Sequence, residues 1–143
     1  MLQGFEDAFT EAQASIISLA LELLENNEKE VDMVYIYIYA NKTMNFVNAF
    51  FAKDKKIVLL NHWFEDEQIL ELFSCMRKGL KNIVKVCETY EGKCPVEFRL
   101  SYNANTKAFD AKYNYDDFAG DGDVSLVDVY KNWQKECEVE LNS

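Results

Sequence analysis

The sequence is poor in the residues that many chemical sites require. It has one histidine, one proline and five glycines among 143 residues. A catalytic arrangement built on imidazole would have to use His62, and no GxSxG nucleophile motif accompanies it. The Gly-rich patterns that cradle phosphates are also missing. We therefore predict that the chain is not an enzyme, and that His62 has a local packing or hydrogen-bonding role.

Metal-binding patterns are equally scarce. The four cysteines, Cys75, Cys87, Cys94 and Cys137, form no CxxC pair and no zinc-finger spacing. Cys75 and Cys87 are twelve residues apart, which places them on different faces of a helix. We expect reduced thiols in a cytosolic protein and no metal or other cofactor. A Cys87–Cys94 disulfide is the alternative if the chain resides in an oxidising compartment.

Long apolar runs and an excess of basic residues are also lacking. No apolar run reaches the roughly 18 residues that a membrane span needs. The first nine residues contain two acids and no base, which is not typical of a secretory signal and predicts a cytoplasmic location. With 15 basic and 25 acidic residues the net charge is −10, which argues against direct binding to nucleic acid or anionic membranes. Such a charge favours a basic partner.

The negative charge lies at the two ends of the chain. Residues 1–32 hold eight acids and one lysine, a net charge of −7. Residues 114–143 hold eight acids and two lysines, a net charge of −6, whereas residues 33–113 carry +3. No Pro- or Ser-rich linker and no internal repeat separates these parts. We therefore predict a single domain over residues 1–143.

The periodicity of the apolar residues predicts an α+β fold. Spacings of three and four residues indicate helices, and alternation with period two indicates strands. The predicted elements are a helix over 5–25, strands over 33–40, 44–52 and 56–61, a helix over 66–88, strands over 96–102 and 107–115, and a helix over 124–138. The order α-β-β-β-α-β-β-α predicts an antiparallel sheet packed against helices.

Tyrosines occupy one face of the first predicted strand. Tyr35, Tyr37 and Tyr39 alternate with aliphatic residues, so they point to the same side of the sheet. Packing beneath a helix is the favoured interpretation. A partly open binding face is the alternative, since tyrosine combines apolar area with a hydroxyl group.

Residues 117–128 resemble an EF-hand calcium loop only in part. Ala119 stands at the third position, where it cannot ligate, and Asp128 is shorter than the usual final glutamate. The preceding segment also predicts a strand where an EF-hand has a helix. We expect a loop in which Asp123 or a neighbour caps the next helix. Adjacent Asp116 and Asp117 have no identifiable third ligand for a metal.

Of all segments, the acidic C-terminal part, residues 114–143, most strongly suggests a protein-binding surface. Acids surround potential aromatic anchors on the loop and the last predicted helix: Tyr115, Asp116, Asp117, Asp121, Asp123, Asp128, Tyr130 and Trp133. Such a set suits a basic protein surface. An ordinary solvated acidic loop is the alternative.

Several motifs follow one another in a characteristic order between residues 5 and 135. After a first helix come the strand Val34-Tyr35-Ile36-Tyr37, the aromatic strand 46–51, the long helix 66–88, the run Tyr113-Asn114-Tyr115-Asp116-Asp117, and Trp133 on the final helix. In this order they resemble the YezG-like immunity protein family. The resemblance implies a bacterial cytoplasmic antitoxin that neutralises a polymorphic or contact-dependent toxin, often a nuclease. It implies neither catalysis nor a cofactor.

The charge is consistent with that implication, because a nuclease needs a basic groove for its substrate. We expect the chain to act as a monomer or weak homo-oligomer that covers the toxin's active site or substrate groove. The alternative is an acidic bacterial secretion chaperone. Such chaperones have a similar order of elements, and they bind an extended effector segment as a dimer.

Overall fold

A computed structural model describes residues 1–120 and 122–143 and confirms the predicted α+β order, with a short additional helix. The elements are α1 (Phe5–Asn26), β1 (Met33–Ala40), β2 (Asn45–Lys53), β3 (Lys56–Leu59), α2 (Leu60–Trp63), α3 (Asp66–Thr89), β4 (Glu97–Asn103), β5 (Phe109–Asn114) and α4 (Leu126–Leu141). Among the described residues, no helix is long and apolar enough to cross a bilayer.

The third strand is shorter than predicted. It ends at Leu59, and residues expected to extend it to position 61 form the start of α2 instead. The Leu59 N–H donates to His62 Nδ1 at 3.0 Å, and this bond ties the end of the strand to the helical turn that follows it. The local hydrogen-bonding role predicted for His62 is confirmed.

The predicted last strand, 107–115, is also too long. Lys107 has a φ of 65°, a turn conformation, so β5 begins at Phe109. It ends at Asn114, whose side-chain oxygen accepts from the Asp116 N–H at 2.9 Å. An asparagine that binds the backbone two residues later favours a turn over a continued strand.

The final helix begins at Leu126, two residues later than predicted, and continues to Leu141 instead of ending at 138. Ser125 is its N-cap: the backbone there is extended, and the hydroxyl accepts from the Asp128 N–H at 3.3 Å. The prediction named Asp123 or a neighbour as the cap; the capping residue is Ser125, two positions after Asp123.

The strands form an antiparallel sheet in the order β3-β2-β1-β4-β5. β1 lies at the centre, where its alternating β-branched and aromatic residues suit a sheet buried on both faces. In the register of the sheet, Tyr37 lies opposite Asn48 on β2 and Arg99 on β4. Arg99 therefore shares a face with the tyrosine row.

The chain divides into two compact units. Residues 1–30 and 64–94 make the first, which contains α1 and α3. There Gly79 permits a close approach of the helices, because a Cβ at this position would lie 2.7 Å from Ile16 Cγ1. Residues 31–63 and 95–143 make the second unit, which holds the sheet, α2 and α4.

Candidate protein-binding site

The tyrosine face of β1 forms the core beneath α4. Tyr37 and Tyr39 are fully buried, and Tyr35 is 5% exposed. The Tyr35 ring meets the edge of Trp133 at a centroid distance of 5.8 Å, and Phe50 lies 5.2 Å from the same indole. Edge-to-face packing of this kind is favourable for aromatic rings. The packing role predicted for the tyrosine row is confirmed.

Tyr130 and Trp133 belong to the same core, which corrects their place in the predicted binding set. Both are 6% exposed. The Tyr130 hydroxyl donates to the Ala49 carbonyl at 3.2 Å, and the Arg99 guanidinium lies over the Trp133 ring at 6.0 Å. The two aromatic side chains hold α4 on the sheet and are not placed on the surface for a partner.

The spacing of apolar residues along α4 already indicates this core role. Leu126, Tyr130, Trp133 and Cys137 are spaced by four, three and four residues, and all four are buried. That spacing places them on one face of α4. The acids surrounding them in sequence therefore lie on the other faces of the helix.

The Tyr39 hydroxyl anchors the loop that leads to α4. It donates to the Asp117 carboxylate and accepts from the Ala119 N–H at 3.0 Å. Asn41 Nδ2 donates to both oxygens of the Asp117 carboxylate, at 3.2 and 3.3 Å. Burial and the hydrogen bond to Asp117 raise the pKa of Tyr39. Asp117 is thus a positioning residue, whose carboxylate fixes the loop against the end of β1.

Gly120 completes this anchor. A Cβ at position 120 would lie 2.6 Å from Asp117 Oδ2, so a larger residue would push the carboxylate out of place. Asn41 is itself oriented, since its Oδ1 accepts from the Thr43 and Met44 N–H groups at 2.9 Å each. The first part of the loop is therefore held by side chains whose own positions are fixed.

A second polar network lies under α4 and was missed by the sequence analysis. Tyr37 donates to Glu97 Oε2 at 2.5 Å, and Glu97 is only 5% exposed. Arg99 lies 3.5 Å from the Glu97 carboxylate and 3.6 Å from that of Glu136 on α4. Burial, and then the hydrogen bond to Glu97, raise the pKa of Tyr37. Charged residues that alternate with apolar ones, as in Glu97-Phe98-Arg99-Leu100, are typical of a strand with one solvent-facing side, and this pattern does not show that α4 lies near that side.

The exposed members of the predicted set are mainly acidic. Asp116, Asp117, Asp123 and Asp128 are exposed, and Tyr115 is 44% exposed. Asp121 lies outside the described residues. In the last turns of α4, Glu136, Glu138 and Glu140 are exposed as well. The 16 residues of α4 span about 24 Å, so the acids form one group at the loop and another towards the C-terminus.

Calcium is expected to leave this loop unchanged. Asp117, the first ligand position of an EF-hand-like loop, already binds Tyr39 and Asn41, and Ala119 offers no side-chain ligand. Within the described ranges no three His, Cys, Asp or Glu side chains group as metal ligands. We predict the same melting temperature in millimolar calcium and in chelator. A clear rise with calcium, and none with magnesium, would contradict this prediction.

The arrangement presents exposed acidic side chains beside a loop segment that hydrogen bonds hold in place. It suits recognition of a basic surface. Comparison of the chain with protein-family models and with curated proteins finds no match.

Proposed function

We propose that the chain is an immunity protein that binds and neutralises a basic nuclease toxin domain through the exposed acids of the loop and α4. One observation carries the proposal: exposed Asp116 and Tyr115 adjoin an anchored segment in which Asp117 is fixed by Tyr39 and Asn41. The resemblance to the YezG-like family points to the same role.

The anchor bears on affinity because a binding segment that is already ordered loses less entropy on association. The hydrogen bonds from Tyr39 and Asn41 hold the backbone beside the exposed acids before any partner arrives. Tyr115 adds a partly exposed aromatic ring, a side-chain type that is frequent at interface hot spots. The loop thus combines charge, an aromatic contact and local order.

The charge of the C-terminal segment gives the basis for inhibition. Residues 114–143 carry a net charge of −6, and a nuclease groove must be basic to bind phosphates. Acidic side chains compete with the substrate for that groove and accelerate the encounter by long-range attraction. Attachment beside the groove would inhibit too, by blocking the approach of the substrate.

The test begins with purification of the tagged chain from its native host and mass spectrometry of the co-eluting protein. The partner is then produced alone and its nuclease activity is measured with and without the chain. We expect a folded basic domain, a one-to-one complex by light scattering, and loss of cleavage at equimolar chain.

Two results would overturn the proposal. A folded partner that keeps its full nuclease activity in the complex would remove the inhibitory role. An extended segment of a secretion substrate, bound to a dimer of the chain, would replace the proposal with the chaperone function. The stoichiometry and the folded state of the partner therefore distinguish the two functions.

A further inference from the structure

Two thiols meet at the C-terminal end of α3. Cys87 is 2% exposed, and Cys94, seven residues later, is partly exposed. The Cys94 and Cys87 thiols lie within hydrogen-bonding reach of each other. All four cysteines of the chain are free thiols, and these two lie in the unit that contains α1 and α3. The sequence alone left a Cys87–Cys94 bridge open, and the structure brings the two sulfur atoms together.

The backbone between the two cysteines reverses direction at the end of α3. Gly92 donates its N–H to the Cys87 carbonyl at 2.8 Å, and Glu91 has a φ of 54°. A left-handed residue followed by a hydrogen bond back to the last turn ends a helix and reverses the chain. The reversal returns Cys94 to the side of Cys87.

Leu2, before α1, and Phe5, its first residue, contact the same turn. Leu2 donates its N–H to the Tyr90 carbonyl at 2.6 Å. The Phe5 ring lies so close to Gly92 that a Cβ there would be 2.5 Å from the ring. The turn that joins the two cysteines is therefore held by backbone hydrogen bonds and packing.

We propose that Cys87 and Cys94 are a redox pair, which forms an intramolecular disulfide when the protein meets an oxidised low-molecular-weight thiol such as glutathione disulfide. The Cys94 thiolate attacks one sulfur of that disulfide and releases one thiol. The Cys87 thiolate then attacks the Cys94 sulfur of the mixed disulfide and releases the second thiol. Two protein thiols are oxidised, the small disulfide is reduced to two thiols, and the protons end on those products.

The environment of the pair sets the rate. Burial raises the pKa of both thiols, so little thiolate is present at neutral pH. Oxidation is expected to be slow near neutral pH and to accelerate as the pH rises. Cys94 reacts first because it is the more exposed of the two.

The cross-link should stabilise the folded protein. It closes an eight-residue loop around the end of α3, which restricts the unfolded chain. For a chain of this size the expected rise in melting temperature is about 5 °C or more. The proposal is independent of the immunity function, because the acidic residues of the loop and α4 belong to the other unit.

The experiment treats the full chain with glutathione disulfide, denatures it in maleimide and measures its intact mass. We expect two maleimide adducts in place of four, a peptide link between positions 87 and 94, and a melting-temperature rise that dithiothreitol reverses. Cys94→Ser should abolish the link, and Cys87→Ser should retain a glutathione adduct on Cys94. Cys75→Ser and Cys137→Ser are the matched controls and should still form the link.

Four adducts after oxidation at alkaline pH, continued until the number of adducts is constant, would overturn the proposal, as would a link mapped to another pair of cysteines. Cys87 is buried, so its serine variant could fail to fold. Cys94→Ser, at a partly exposed position, and the mapped peptide in the unmodified chain keep the test decisive in that event.

Discussion

Replacing Trp133 by alanine is expected to lower the free energy of unfolding by about 4 kcal/mol. The indole packs against Tyr35, Phe50 and the guanidinium of Arg99, and it is 6% exposed. Its removal leaves a cavity between α4 and the central strand, which neighbouring rings fill only in part. The loss should therefore exceed the effect of removing any exposed side chain of α4.

Urea denaturation followed by far-ultraviolet circular dichroism measures this loss. Asn132→Ala is the matched control, because Asn132 is the preceding residue of α4 and is exposed. Its change should stay within about 0.5 kcal/mol. A loss below about 1 kcal/mol for Trp133→Ala would contradict the core role assigned to the indole and return Trp133 to the candidate binding surface.

In the central strand, β1, the periodicity of the sequence predicts which way the side chains point. Alternation along β1 predicted both the strand and the common direction of Tyr35, Tyr37 and Tyr39, because successive side chains of a strand point to opposite faces. The pattern did not reveal which element covers that face. The same spacing rule, applied to Tyr130 and Trp133 on α4, would have placed them in the core.

Local chemistry determined where the elements end, and the sequence predicted it less well. The end of β3 depends on the bond from the Leu59 N–H to His62, and the end of β5 on the bond from the Asp116 N–H to Asn114. In each case a side chain accepts from a backbone N–H at the end of a strand or just beyond it. Propensity and alternation do not predict such hydrogen bonds.

Polar residues held by long-range tertiary contacts were the hardest to identify. Glu97 has the sequence environment of an exposed strand residue, yet its carboxylate is buried and accepts from Tyr37. Asp117 belongs to an acidic run typical of a solvated loop, yet Tyr39 and Asn41 hold it. Both partners lie at least sixty residues away in the chain, so no local pattern contains the signal.

Charge reversal on the loop is expected to slow association with the proposed basic toxin domain by about tenfold at low salt. The variant combines Asp116→Lys with Asp123→Lys, two exposed positions that lie before and after the segment that Tyr39 binds. Repulsion replaces attraction where the partner approaches, and charges at the edge of an interface act mainly on the association rate. Screening by salt should reduce the difference between the variant and the parent chain.

Stopped-flow mixing at low and high salt measures the association rate for both chains. The matched control is Glu11→Lys with Glu25→Lys, which makes the same change in net charge at exposed positions of α1. We expect the control to retain most of the parent rate, because steering depends on charges near the contact more than on net charge. Equal slowing by both variants would place the contact elsewhere, and a parent rate independent of salt would exclude steering.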